Sequence, residues 1–406
     1  MVGVIMKISE SIEFMTQIHK AWDGTEQRMG LRPKPRRYFS YDYIGAKSAD
    51  SQYLRALSYS QQTELLKIPL WHGASKPIKP IFKGDMSLTL PTNRLWHYRD
   101  VGSISLWFSD IYGGDYFQLR TAASDGTLGF SKKVTSDWAV GKTTCVPVAW
   151  CVLQQEDKFM QIHASLTTMQ LHYEMVVDQE APVFPPAMDE YHDEPIPQRW
   201  GRGIPVQYKG LEVFMTPPAW TADITSNFSR NAVRLDNQTG IFRYDLKSTD
   251  PTEGREIEYV PMSREEINNL QRFFCRCKGR LKAFWAPTWL NDIELAVDAK
   301  AGDSILITKW PLYFKYFTSG SRRKTIAVFD KDFSGRVLSV AGYSIDNKTR
   351  LGKIYLDTPL KKDMRIQSTV MISFFCKYRF DTDVMITDYE TPEVATINLS
   401  FAEVTQ

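Results

Sequence analysis

Apolar and polar positions alternate along much of this chain. In TTMQLHYEM, residues 167 to 175, Met169, Leu171, Tyr173 and Met175 fall on one side and Gln170, His172 and Glu174 on the other. That period of two is what a half-buried strand requires. Strand-like runs broken by turns fill residues 101 to 177, and residues 323 to 406 return to the same language in KTIAVFD, GRVLSVAGYSID, GKIYLDTPL, TVMISFFCKYRF and ATINLSFAEV. Two stretches have a helical period instead. SREEINNLQRFFCRCKGRLKAFW opens on Ser263 with Glu266 three residues later, a capping box, places Ile267, Leu270, Phe274 and Cys277 at helical spacing, and stops at Gly279. SADSQYLRALSYSQQTELLK, between Ala46 and Leu66, predicts another helix with Ser48 or Asp50 as its cap.

One pattern occurs twice. PLWHGASKPIKPIFKGDMSLTLPTNRLWHY begins at Pro69 and PTWLNDIELAVDAKAGDSILITKWPLYFKY at Pro287. Laid over each other without a gap, they match Pro69 with Pro287, Trp71 with Trp289, Gly84 with Gly302, Asp85 with Asp303, Leu88 with Leu306 and Tyr98 with Tyr316, with Trp96 facing Phe314. Upstream, Arg37 falls on Arg255 and Tyr41 on Tyr259. Each copy reads as a β-hairpin, with a Trp anchor, an extended run, a Gly-Asp reversal and a second strand. The expected fold is therefore mainly β: two related sandwich or barrel domains, each carrying one short helix, arisen by internal duplication.

The boundary between them is compositional. DQEAPVFPPAMDEYHDEPIPQR, residues 178 to 199, is rich in proline and acid and has too little apolar surface for a core, so it reads as a linker. The expected domains are residues 1–177 and 200–406. Ahead of the first domain, Asp23-Gly24 signals a turn. The polar stretch after it carries Arg28, Arg32, Arg36 and Arg37, either to bind carboxylates across a subunit boundary or to keep an edge strand solvated.

Composition narrows the partners. Lys and Arg total 50 against 47 for Asp and Glu, a net charge of +3, and the short basic runs such as Arg322, Arg323 and Lys324 read as solvated turns or subunit contacts rather than a phosphate track. Nucleic acid recognition is not expected. Five cysteines do not describe a disulfide framework and fit a reducing compartment. No apolar run approaches the ~20 residues of a membrane span, and MVGVIMKISESIEF turns acidic too soon for a secretion signal. Aromatic residues make up 13% of the chain, which suits sheets, protein interfaces or sugar-stacking surfaces.

Motifs for chemistry are missing. GTLGFSKK, near Gly126, lacks the Gly-Lys-Ser/Thr ending of a phosphate loop, and Cys275 and Cys277 have no second pair to complete a zinc site. His163 and His172 lie in adjacent strand-like runs and face each other in the simplest pairing, without a carboxylate motif. Glu190, Asp193 and Glu194 sit in the linker, where catalytic geometry is hard to hold, although paired carboxylates elsewhere are a property of the fold that sequence spacing does not reveal. No catalytic, cofactor-binding or metal-binding residue is assigned, and no cofactor is expected.

Trp22-Asp23-Gly24-Thr25-Glu26-Gln27-Arg28, followed by Leu31-Arg32 and Pro35-Arg36-Arg37, resembles the opening of tail-tip proteins of long-tailed bacteriophages. The helix with Leu270, Phe273, Phe274 and Gly279, followed by Phe284-Trp285, is similar to a signature of distal-tail and baseplate proteins. The resemblance implies a non-enzymatic virion component that forms a ring closing the tail tube and attaches hub or fibre proteins. Its partners would be copies of itself, as a hexamer or a pseudo-sixfold trimer, and other tail proteins. The competing reading is a carbohydrate-binding or carbohydrate-cleaving tail or surface protein, with Trp107 and Trp138 as candidate exposed platforms.

Overall fold

A computed structural model describes the chain except for residues 1–3, 22–24, 46, 96–97, 99–102, 109–113, 155–157, 164–165, 177–206, 248–250, 312–313, 315–322, 332–334 and 405–406. The proline-rich linker, Trp22-Asp23-Gly24, Trp96 and Tyr316 therefore lie outside the described residues. The protein is mainly β, as the alternation predicts.

The first half runs β1 (Val4–Glu13), β2 (Thr16–Lys20), β3 (Glu26–Gly30), β4 (Arg36–Gly45), helix α1 (Ser48–Ser60), β5 (Leu65–Pro69), β6 (Ser87–Thr89), β7 (Ser103–Phe108), β8 (Gly114–Ala122), β9 (Thr127–Phe130), β10 (Thr143–Leu153), β11 (Lys158–Gln161) and β12 (Thr167–Met175). The second runs β13 (Gln207–Tyr208), β14 (Leu211–Glu212), β15 (Thr225–Ser229), β16 (Ala232–Asp236), β17 (Phe242–Leu246), β18 (Thr252–Tyr259), helix α2 (Arg264–Cys277), β19 (Phe284–Pro287), β20 (Ile305–Thr308), β21 (Thr325–Asp330), β22 (Gly335–Asp346), β23 (Leu351–Leu356), β24 (Thr369–Phe380), β25 (Val384–Tyr389) and β26 (Ala395–Glu403). All strand pairings within the sheets are antiparallel, and twenty strands form one continuous sheet system.

The pairings of the two halves can be laid over each other. Pro69 of β5 faces Val148 of β10, and Pro287 of β19 faces Phe375 of β24. From β10 the pairing passes to β7, β8 and β9; from β24 it passes to β21, β22 and β23. Even the irregularities correspond, with a register slip between Leu119 and Thr121 in β8 and another between Val340 and Gly342 in β22. Gly84 and Gly302 have φ of +97° and +96°, a backbone that glycine adopts without strain. Asp85 and Asp303 each accept from the N–H three residues earlier, at 2.8 and 2.7 Å.

The twin Gly-Asp stretches are nevertheless not two-stranded ladders. β6 pairs with β9 and β20 with β23, strands well ahead in sequence. The arms of each turn meet at single points, through the Ile78 N–H on the Thr89 carbonyl in the first and the Leu295–Thr308 bridge in the second, and the arm before each turn also bridges elsewhere, Ile81 with Trp138 and Ala299 with Met364. The aspartate tightens the reversal into a compact loop whose arms touch locally without forming a continuous ladder. Trp289 is a core anchor, 2% exposed and stacked on Phe329 at 5.0 Å, whereas Trp71 is half-buried against Trp107.

Helix α2 follows its sequence signals closely. Ser263 Oγ accepts from the Glu266 N–H at 3.3 Å, Glu266 reaches back to the Met262 N–H at 2.9 Å, and Lys278 and Gly279 end the helix at φ +53° and +62°. In α1 the cap position is Lys47, with no side-chain capping bond. Ser48 and Asp50 fall inside the first turn, because the break to extended backbone comes one residue earlier than the expected caps.

Among the described residues the apolar side chains gather into one large cluster in the second half, two in the first, one of them under β6 to β10 and the other between α1 and strands β4, β5, β10 and β12, and a small fourth of Ile267, Tyr389 and Ala395 against Ile8. The large cluster includes two residues from the start of the chain, Ile12 and Phe14, 0% and 4% exposed.

Candidate assembly interface

Residues from opposite ends of the chain meet at β1. It lies between β4 of its own half and β25 of the other, with Ile8 facing Tyr41 on one side and Tyr389 on the other. Glu10, 0% exposed, is the polar centre of this seam. It accepts from Arg37 Nε at 3.0 Å, from Gln271 Nε2 at 3.0 Å and from the Tyr389 hydroxyl at 2.8 Å. Arg264 of α2 donates to the His72 carbonyl at 3.0 Å, and the His72 ring stacks between Phe39 and Tyr389. Strands β1, β4 and β25, helix α2 and the turn after β5 are thus tied to one buried carboxylate.

Burial alone would raise the Glu10 pKa, but the Arg37 charge and the Arg37 and Tyr389 hydrogen bonds outweigh it and hold the group at about 2, against an ordinary 4.5. Burial pushes His72 down to about 3 from 6.5, in spite of Glu10 beside it. At neutral pH the carboxylate is ionised and the imidazole neutral. Unfolding takes up a proton at His72 between pH 6.5 and 3, and one at Glu10 between pH 4.5 and 2. Both effects remove stability as pH falls, each on the order of a few kcal/mol. The thermal midpoint followed by circular dichroism should fall progressively below pH 6.5, and His72→Phe should flatten the limb between pH 6.5 and 5. A midpoint level from pH 7 to 5, or one unchanged in slope by His72→Phe, would contradict this account.

Beyond Glu10 the chain continues across the seam. Phe14 packs on Phe274 of α2 with ring centroids 5.9 Å apart, and its N–H donates to the Asp383 carbonyl at 2.9 Å. The β2–β3 hairpin lies over the second half. Thr16 N–H donates to Asp383 Oδ2 at 2.7 Å, and Glu26 takes a two-point contact from Arg379 at 2.8 and 3.1 Å.

Each half also presents an edge that the described residues leave open. β15 pairs only with β18, and all five of its residues are exposed. β11 pairs only with β12. Beside β11, an open cavity of about 610 Å³ is lined by Arg55, Ala56, Tyr59, Gln62, Phe159 and Met169. The β16–β17 hairpin is exposed along nearly its whole length, with Leu235 and Tyr244 55% and 59% accessible. Large exposed apolar patches of this kind are characteristic of interaction surfaces.

Several residues singled out by the sequence have other roles. Arg37 is buried on Glu10, Arg36 meets Glu174 at 3.7 Å and Arg32 meets Glu13 at 3.2 Å, so these arginines engage carboxylates of their own chain. Arg323 is no solvated turn residue. It is buried between Glu253 and Glu403 at 2.9 and 3.0 Å, with Arg255 joining Glu253 at 2.5 Å. His163 sits in the β11–β12 turn, while His172 lies in β12 opposite Ser40, so the two do not face each other. Cys275 and Cys277 are both buried in the large core, and among the described residues no group of three His, Cys, Asp or Glu side chains is arranged to hold a metal ion.

Trp138 is 7% exposed, an interior residue rather than a platform, and Trp107 leans on Trp71 at 5.5 Å. The accessible aromatic surface is elsewhere. Trp220, 57% exposed, stands edge-on to Trp289 above a groove completed by Leu290, Asn291, Val370 and Met371. The Pro-Pro-Ala-Trp context of Trp220 carries no sequence signal for an exposed ring. Among the described residues, no helix is long and apolar enough to cross a membrane. No protein-family model matches this sequence, and comparison with curated proteins finds no significant match.

Proposed function

We propose that this chain is a non-enzymatic structural component of the tail tip or baseplate of a long-tailed bacteriophage. In the virion it would form a ring that closes the tail tube and attaches hub or fibre proteins. One observation carries the reading: two halves with corresponding strand pairings are joined edge to edge through β1, so that a single chain supplies two similar places side by side. The halves are read as copies from an internal duplication, and three such chains would then supply the six places of a sixfold tube. The arginine-rich stretch named by the resemblance supports the intrachain seam, since Arg37 holds Glu10 there. Light scattering and negative-stain imaging of the purified protein test the proposal. A closed particle of three chains with a central opening is expected, and a strict monomer at high concentration overturns it.

A second reading has one observation in its favour, the Trp220 groove, whose volume of about 460 Å³ and aromatic wall suit a sugar ring. Quenching of tryptophan fluorescence by host-surface glycans, lost in Trp220→Ala, is the result it requires.

A further inference from the structure

The junction between the halves uses one set of edges, and the matching set is left on the outside. β4 and β18 correspond through Tyr41 and Tyr259, which face Leu171 and Ile397. Ser11 of β1 faces Tyr38, and Thr225 of β15 faces Glu256, the residue corresponding to Tyr38. β15 is therefore the second half's version of β1, and Phe228 stands where Phe14 stands. The same comparison through β12 and β26 sets Phe159 of β11 at the place of Tyr389 of β25, opposite Met169 and Ala395. The β16–β17 hairpin, between β15 and β18, occupies the position of the β2–β3 hairpin between β1 and β4.

The two members of each pair differ in surroundings. Phe14 is 4% exposed, inserted between α2 and β25; Phe228 is 62% exposed. Phe274, which receives the Phe14 ring, corresponds to Ala56 when Pro287 is laid on Pro69. Ala56 lines the 610 Å³ cavity, with Phe159 and Met169 at its β11 side. A residue shaped to be buried and a cavity at the matching place thus sit on opposite open edges of one chain, too far apart in topology to satisfy each other.

We propose that these edges join copies of this chain head to tail. Phe228 and β15 of one copy dock on α1 and β11 of the next, as Phe14 and β1 dock on α2 and β25 within the chain, and the β16–β17 hairpin lies over the neighbouring first half. Val233, Leu235, Phe242 and Tyr244, exposed here, are covered there. The contact is heterologous, so it repeats until a ring closes or a filament grows. The proposal rests on the ring reading above for closure only; the contact itself rests on the correspondence of edges.

Paired variants test it. Phe228→Ala removes the inserted ring, and Ala56→Glu sets a carboxylate where that ring must sit; both positions are exposed. Each variant alone should associate about 30- to 100-fold more weakly than the parent by sedimentation. Mixed together, they should form a one-to-one dimer and stop, because each retains the face that the other has lost. Placing Asp223→Cys in the Ala56→Glu chain and Lys158→Cys in the Phe228→Ala chain should link that dimer by a disulfide. The site is the one where Ser9 and Asp388 hydrogen-bond within the chain, and the five native cysteines are buried. Parent-like assembly of both single variants overturns this contact and leaves the ring reading standing. Open filaments built through it keep the contact and overturn the ring. A monomeric parent overturns both.

Discussion

Arg37→Ala should destabilise the protein by about 3–5 kcal/mol, with the halves parting first, because it leaves a buried carboxylate without its counter-charge. Arg37 is 3% exposed and its guanidinium is the cation in direct contact with Glu10. The two other described donors to Glu10, Gln271 and Tyr389, are neutral. The deficit belongs to the stranded charge and not to lost packing, so neutralising the partner should recover most of it. Glu10→Gln combined with Arg37→Met should lie within about 1.5 kcal/mol of the parent, since replacing a buried pair by neutral groups of similar volume is often close to neutral. Urea unfolding of the parent, Glu10→Gln, Arg37→Met and the double variant forms the cycle, with Arg37→Ala measured beside it. A loss under 1 kcal/mol in Arg37→Ala, or a double variant as weak as the single, would remove the buried pair from its role in the seam.

Phe284→Ala should be comparably damaging, about 3–5 kcal/mol, through a cavity in place of lost charge. Its ring is 0% exposed and lies 5.1 Å from Phe273, 5.0 Å from Phe380 and 5.4 Å from Phe401. These neighbours come from a helix and two strands and have no route to collapse inward together. The first-half residue at the matching position, Leu66, is only partly buried, and Leu66→Ala should lose about 1 kcal/mol. Equal losses at the two positions would mean that the aromatic cluster is not the dominant core.

The sequence carried the local rules well and the long-range ones poorly. Alternation in Met169, Leu171 and Tyr173 marked β12, and Ser263, Glu266 and Gly279 marked α2 at both ends, because those signals act over a few residues. The matched Gly-Asp turns were legible as turns, yet their strands pair with distant partners that no local pattern specifies. Arg37 and Arg323 looked like surface charges because a charge shows no burial in sequence; their carboxylates, Glu10 and Glu403, lie 27 and 80 positions away. Ile12 and Phe14 lie in a stretch whose sequence says only that it turns acidic early, although they belong to the opposite half's core. Trp220 was indistinguishable from the buried tryptophans, since only the fold decides which ring meets water.

The placement of β1 also sets a timetable. Lys7 and Asp388, which pair across the seam, are 381 positions apart. A ribosome adding about 5–20 residues per second needs roughly 20–75 s to make the second after the first. Throughout that interval Phe14 and the buried face of β1 have been synthesised, but β25, the strand that completes their cover, has not. The nascent chain must either keep this segment sheltered or offer it to whatever apolar edge is nearest, including a finished neighbour on the same message. The arrival of β25 therefore decides whether β1 is claimed by its own chain.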